Sequence, residues 1–484
     1  MPPRAEQDRI ERHVWLIAAV VGMGSVMSIL AVTIVNVALE SLSLELHSPL
    51  QDIQWVATGY LLGMGAVIPT TAWGARRFGT RELYLASLAA FVAASVLCAI
   101  AWTAPVLIGA RVLQGVAGGL TLPLGQMMLA TAAGPERMGR VMSVIGVPMI
   151  LGPMIGPVVG GLLIDHLSWH WIFVVNVPFG LAALLLGWRL LPRVERGIPG
   201  RLDVTGLVLL CTGVPLLIYG LSRTSTAGGF GSGSVLVPAI AGLALIAAFA
   251  RHALRSDHPL LDVRLLGNRG FAAASVATFC TGAALYGAML LLPLYFQTVR
   301  GEDALHAGLL LIPQGIGAAI AMPFAGRLTD RIGGGRIALV GLVVMIAATV
   351  PLASLTDETP YLLISAILVV RGMGTNAAIM PLMAAAFATV RRDEVVHATP
   401  QLNVLQRIGG SIGTAILTVV LSHHLAGVRT PAAGAEAFGE TYWWAIGVTA
   451  VAVLPAAYLA IVERRTRAEL VRAAVEAREE PVAA

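Results

Sequence analysis

Arg111, in the run LIGARVLQG, stands seven residues into a long apolar stretch. A cation at that depth costs about 2.5–3.5 kcal/mol on insertion scales, so it must face a cavity or a partner, or snorkel toward carbonyls near a helix end. Gln114 follows one helical turn later. A second constellation is Gly152-Pro153-Met154-Ile155-Gly156-Pro157-Val158-Val159-Gly160-Gly161. Gly152, Gly156 and Gly160 recur every four residues and line one helix face, where a neighbouring backbone can come close. Pro153 and Pro157 bend that helix and free carbonyls that neighbouring groups must satisfy.

Other chemistry is excluded by what is missing. The chain has no Lys, so a phosphate-cradling GxxxxGK[ST] cannot be built, and it has no HExxH or GxSxG. Cys98, Cys211 and Cys280 each stand alone in apolar text and read as small buried hydrophobes. All 27 acids and all ten histidines, His166, His170, His306 and His423 among them, fall at termini, loops or the ends of apolar stretches. The sequence therefore offers no deep acid pair, no histidine relay and no metal or cofactor site, and it is not read as an enzyme.

Only helices in lipid can position these groups. Apolar residues make up 57% of the 484, charged residues 12%, and mean hydropathy is +0.81. Soluble domains carry about 25% charge, so most of this chain faces lipid or itself. The net charge of +5 comes from Arg scattered in ones to fours between apolar blocks, unlike the basic stripes that bind nucleic acid. The opening PPRAEQDRIERH is not followed by a small-residue cleavage site, and the first helix is expected to stay.

A bilayer core needs about 20 apolar residues per helix. Such runs cover 14–39, 53–73, 83–102, 105–131, 141–164, 171–191, 203–222, 234–254, 271–296, 305–325, 336–355, 360–388, 398–422 and 441–462, which makes fourteen spans. Of the 32 Arg, 26 lie in segments on the N-terminal side; the opposite loops hold Arg223, Arg300 and Arg429, and Arg111, Arg371 and Arg407 lie within or at the edge of spans. The positive-inside rule then puts both termini in the cytoplasm.

The loop AWGARRFGTR at 72–81 has a counterpart in GRLTDRIGGGR at 326–336, and Arg111-Val-Leu-Gln114-Gly115 has a looser one in Arg371-Gly372-Met373-Gly374, at offsets of 254 and 260. Two six-helix halves joined directly would repeat at roughly 190–200 residues. The spans at 203–222 and 234–254 supply the surplus. The expected organisation is a six-helix bundle at 1–192, two extra helices at 193–257 and a second six-helix bundle at 258–484.

Along the chain come Thr33-Ile34-Val35-Asn36-Val37-Ala38-Leu39, Gln54-Trp55 through Tyr60-Leu61-Leu62, Ser168-Trp169-His170-Trp171-Ile172-Phe173 through Asn176-Val177-Pro178-Phe179-Gly180, PLLDVRLLGNRGF at 259–271 and LPLYFQTVRG at 292–301. In this order, with the Gly152–Gly161 motif, they resemble the major facilitator superfamily, specifically the fourteen-helix drug/proton antiporter family of EmrB/QacA type. The resemblance covers nearly the whole chain. It implies an all-helical membrane fold of two pseudo-symmetric six-helix bundles plus two inserted helices. It also implies proton-coupled efflux of multiple drugs or amphiphiles by alternating access. The implied partners are a lipophilic small-molecule substrate, protons and the bilayer of a bacterial cytoplasmic (inner) membrane, with a monomer as the working unit and accessory export proteins as further partners; nucleic acid is not among them.

By the same resemblance, Arg111 and Gln114 belong to the motif associated with proton transfer and substrate coupling. The glycines at 152–161 form the antiporter motif, sealing the path against leak as well as packing a seam. The loop motif, Arg76, Arg77 and Gly79 in its first copy and Asp330, Arg331 and Gly333 in its second, locks one conformational state through an acid. Here Arg76 stands where the first acid belongs, with Glu82 or Glu136 as possible partners, while Asp330 is retained.

The largest departure is in the first helix, where LDxTIVNVALP becomes Leu30-Ala31-Val32-Thr33-Ile34-Val35-Asn36-Val37-Ala38-Leu39-Glu40. Ala31 replaces the membrane-embedded Asp and Glu40 the Pro. A buried carboxylate ordinarily carries the proton and attracts cations. Without it, neutral or anionic amphiphiles are favoured over cationic dyes. The competing readings are a uniporter or a non-proton-coupled exporter or importer of a neutral or anionic metabolite or lipid, then a non-transporting membrane sensor. Glu40 and Asp52 flank one outer loop and are the acids left for a proton relay. A substrate cavity belongs near the midplane between the halves. Its candidate lining is Thr33, Asn36, Tyr60, Met64, Gln126, Gln297, Gln314, Asn376, Asn403 and Gln406, with ordinary helix packing as the alternative for each.

Overall fold

The computed structural model describes residues 12–133, 137–192, 202–225, 231–391, 393–426, 428 and 430–479; within these ranges some side chains, those of Asn36, Glu40, Pro153 and Pro157 included, lie outside the described residues. In lipid every backbone N–H and C=O must find a partner inside the protein, which a helix achieves within one segment. The first bundle contains α1 (Arg12–Thr33), α2 (Val35–Glu45), α3 (Leu50–Val67), α4 (Thr71–Phe78), α5 (Thr80–Ala99), α6 (Ala104–Ala133), α7 (Met138–His166), α8 (Trp171–Val174) and α9 (Asn176–Leu190). Two further helices, α10 (Val204–Ser222) and α11 (Gly233–Ala253), precede the second bundle. That bundle comprises α12 (Arg269–Met289), α13 (Leu291–Thr298), α14 (Ala304–Leu309), α15 (Ile312–Ile332), α16 (Gly334–Thr349), α17 (Tyr361–Ala388), α18 (Val395–His424) and α19 (Pro431–Glu479).

Among the described residues twelve helical stretches are long and apolar enough to cross a bilayer. The other two expected spans, 53–73 and 141–164, fall on α3 with α4 and on α7, which are helices outside those twelve. Several spans are broken in ways that hydropathy does not reveal. The first changes helix at Ile34, and the second passes through a 3-10 turn, Ile68–Thr70, where Pro69 removes a backbone donor.

The extra pair α10 and α11 packs through glycines: a Cβ on Gly220 would lie 2.6 Å from the Ala239 nitrogen, and one on Gly242 would lie 2.7 Å from the Gly213 carbonyl. At the base of the pair, Asp203 caps α10 through the Gly206 N–H at 2.7 Å and also accepts from His252 at 2.8 Å and the Leu260 N–H at 3.1 Å. One carboxylate thus ties the pair to the segment that leads into the second bundle.

Calling the membrane side on which α1 begins the terminus side, the hydrophobic cores divide unequally. On that side one core is shared: Val14, Ile17, Leu124, Met127 and Met128 of the first bundle cluster with Phe271, Met383, Phe387, Ala398 and Leu402 of the second. On the far side each bundle has its own core, around Val35, Ile53, Leu107, Trp169 and Phe173 in the first and around Leu291, Phe296, Leu352, Phe438 and Tyr442 in the second. A further apolar cluster joins Met27, Tyr60 and Met64 of the first bundle to Val404, Ile408 and Ala415 of the second, and on the far side α14 packs against α7.

Candidate functional site

Arg111 is fully buried in the first bundle, on α6. Its guanidinium donates to the Val56 carbonyl on α3 at 2.9 Å, to Gln114 Oε1 at 2.6 Å and to the Ala31 carbonyl on α1 at 3.0 Å. It also sits 4.3 Å from the Tyr60 ring centroid and 5.9 Å from that of Phe173. Gln114 is held in turn, since its Nε2 donates to Ser95 Oγ at 2.7 Å. Tyr60 donates to the Ser28 carbonyl at 3.0 Å. Every acceptor around the cation is neutral, an arrangement that satisfies its hydrogen bonds but not its charge.

Between the bundles, Asn403 on α18 donates to Gln126 Oε1 on α6 at 2.7 Å, and Gln126 reaches Met383 Sδ on α17 at 3.6 Å. One turn beyond Asn403, and therefore on the same face of α18, is Arg407. It is half-buried, and among the described residues its side chain has no hydrogen-bond or ion-pair partner. Arg371, 3% exposed, donates to Gln314 Oε1 at 3.1 Å, while its Nε has no partner. Asn376, fully buried on α17, has neither amide atom bonded.

The second loop motif grips the opposite bundle. Asp330, at the end of α15, accepts from the Gly139 N–H at 2.8 Å and from Arg140 Nε at 2.7 Å, both at the start of α7. A carboxylate on a helix N-terminus gains from the orphan N–H groups and the helix dipole as well as from the Arg. The approach is close enough that a Cβ on Gly326 would lie 2.7 Å from Arg140 Cα. In the first copy, Arg76 is half-buried with an unpartnered Nε and Arg77 is exposed. Glu82 is not the partner expected for Arg76: it lies against Arg81, at 3.6 Å. Glu136 lies outside the described residues. Both motifs end on a glycine of the same shape, Gly79 at φ 92°, ψ 139° and Gly333 at φ 104°, ψ 147°, a region that excludes most side chains.

The glycine face of α7 packs on the first span. A Cβ at Gly152 would strike the Ile29 side chain, one at Gly156 the Thr33 hydroxyl, and one at Gly160 would lie 3.0 Å from Ile34 Cγ1. Gly161 departs from the set, with open space where a Cβ would go. Thr33 Oγ1 lies within this seam 3.3 Å from each of Gly152 O, Ile29 O and Leu30 O, the carbonyls among which its one hydroxyl proton can be shared.

Residues 21–414 match the sequence profile of the Major Facilitator Superfamily. The chain belongs to the major facilitator superfamily. Over 423 residues it is 41% identical to the multidrug resistance protein B homolog of Mycobacterium tuberculosis, covering 87% of this chain and 78% of that protein. It is 31% identical to the multidrug export protein EmrB of Haemophilus influenzae, covering 83% and 79%. The proton:xylose symporter XylE superposes with a TM-score of 0.63 over 91% of this chain and 94% of that one, at 15% identity, a likeness of fold alone.

The superfamily repeat corrects the register assigned to the second arginine. A Cβ on Gly63 would meet the Val112 carbonyl and one on Gly115 the Tyr60 carbonyl; in the second bundle Gly317 meets Val369 and Gly372 meets Gln314 in the same way. The helix pairs α3 and α15 therefore correspond at an offset of 254, and α6 and α17 at 257 rather than 260. Arg371 occupies the place of Gln114, and the place of Arg111 is taken by Leu368.

The remaining candidates divide. Tyr60, Met64, Gln126, Asn376, Asn403 and Gln406 are buried, and Thr33 and Gln314 are partly buried; Gln297 is exposed near the far-side end of α13, and Asp52 is exposed in the first turn of α3. The side chains of Asn36 and Glu40 lie outside the described residues. Sequence reasoning gave no site role to Arg407, Ser28 or Ser95; a one-turn register from Asn403 was the signal available for the first.

Proposed function

We propose that this chain is a secondary active exporter of lipophilic small molecules in a bacterial cytoplasmic membrane, with both termini cytoplasmic and protons as the counter-moving ion. The observation that carries the reading is the join between the bundles on the terminus side, where one apolar core and the Asp330 clamp hold them together. With cytoplasmic termini, Asp330 on Gly139 and Arg140 clamps the cytoplasmic end of the two bundles. Alternating access then requires that this terminus-side join be broken. Relatives named for multidrug resistance and multidrug export support efflux of varied compounds. In this reading Arg111 and Gln114 couple the cavity to helix movement, because their bonds join α1, α3, α5 and α6.

A second reading is uniport, or exchange without protons. Ala31, in place of the Asp that the family resemblance implies, favours it, since the groups that accept from Arg111 include no carboxylate. Inverted vesicles loaded with a fluorescent amphiphile decide between the two. Proton antiport predicts that transport stops when nigericin collapses the pH gradient; persistence at an unchanged rate supports uniport. Absence of transport under either condition overturns both.

A further inference from the structure

We infer that Arg407 is the headgroup-recognising residue of the inter-bundle cavity, and that the preferred substrates are amphiphiles carrying one negative charge, a carboxylate or sulfonate on an apolar body. The inference rests on the export reading and gives its substrate class. The charged groups along the middle of the spans, among the described residues, are Arg111, Arg371 and Arg407; the described carboxylates sit at helix ends and loops. None of the three has a described carboxylate beside it, and a bound anion would supply the missing counter-charge.

The three differ in what they have left to give. Arg111 is sealed, with each guanidinium nitrogen bonded inside its own bundle. Arg371 is buried behind Gln314. Arg407 is half-buried and unpartnered, and it lies on the face of α18 whose preceding turn bonds Gln126 across the bundle interface. The planar guanidinium presents paired N–H donors that match a carboxylate or sulfonate. Around that level, Met64, Val404 and Ile408 form an apolar cluster against which the partly exposed Ile412 packs. Both Nδ2 donors of Asn403 are already used, on Gln126 and on the Thr399 carbonyl, so the arginine is the donor open to a ligand there.

The test uses the full-length protein in nanodiscs and one naphthalene scaffold carrying a sulfonate, a carboxamide or a trimethylammonium group, with binding read by fluorescence. The wild type should bind the sulfonate most tightly. Arg407→Gln should weaken the sulfonate at least about tenfold and leave the carboxamide within about twofold, and Arg407→Lys should recover part of the loss. A wild type that ranks the ammonium first overturns the inference, and this ranking decides even where the Gln variant does not fold. So does an Arg407→Gln loss equal for sulfonate and carboxamide. Failure of the wild type to move any of the three across vesicles overturns the export reading instead, and the binding ranks still decide the charge preference.

Discussion

Arg111 gives one of its bonds to the carbonyl oxygen of Ala31, 3.0 Å away. By the family resemblance Ala31 stands in place of an aspartate, whose backbone would meet this cation in the same way. The bond to the backbone keeps α1 and α6 joined without it. What is lost is the charge, not the contact.

Restoring that acid with Ala31→Asp should convert a cage of neutral acceptors into an ion pair and add lipophilic cations to the exported range. Dye efflux and drug resistance in a pump-deficient host, compared with the wild type, provide the measure. Robust export of dicationic dyes by the wild type would sink the idea that Ala31 sets charge preference.

Arg111→Ala should abolish export while the protein still inserts, because it strands Gln114 and two carbonyls in a dry interior. Losing a charge-assisted hydrogen bond costs about 1.5–3 kcal/mol, so the melting temperature should fall as well. Arg111→Lys should also export poorly, since one ammonium cannot span three acceptors held by separate helices. Export by the Ala variant at the wild-type rate and equal expression would assign the arginine to packing alone.

Gly156→Leu should stop transport or open a proton leak, because its side chain enters the space of the Thr33 hydroxyl. Gly161→Ala is the internal control, with nothing within 4 Å of its Cβ, and should behave as wild type. Leak assays in proteoliposomes, alongside expression levels, separate a sealing role from simple misfolding. Equal behaviour of the two variants would contradict the seam.

Asp330→Asn should loosen the terminus-side join. Removing a charge-assisted clamp worth about 1.5–3 kcal/mol shifts a two-state equilibrium roughly tenfold or more. A cysteine placed at Met128, in a background without the three native cysteines, should then react faster with an impermeant maleimide added from the terminus side. Unchanged labelling would mean that the shared core holds this end closed without Asp330.

Reporter fusions at residues 228 and 484 should give opposite signals, because 26 of the 32 arginines fall on the N-terminal side. Matching signals would end the fourteen-span topology.

Twelve of the expected spans were legible because each is a run of apolar residues long enough for a bilayer, and the glycine face of α7 because a period of four is written in its letters. Relations across the interface were not. Gln126 and Asn403 were both singled out, but nothing in one sequence pairs residues 277 apart. Arg371 was matched to Arg111 by its letter, whereas close backbone contacts at Gly372 and Gly115 fix the register three residues away. Arg407 sits in QRIGG, with no motif to mark it, and its isolation is visible only once the neighbouring helices surround it. Glu82 was offered to Arg76 for nearness in sequence, but on α5 it lies instead beside Arg81.

The unpartnered Arg407 also has an electrical consequence. A carrier holding a monoanion there is closer to neutral in its middle than the same carrier empty. A membrane potential does about 2.3 kcal/mol of work per elementary charge per 100 mV, and it acts on whichever form bears the net charge. Voltage would therefore govern the return of the empty transporter more than the outward passage of the loaded one. An inside-negative cell would draw the vacant site back toward the cytoplasm, resetting the cycle without a titrating acid in the first helix.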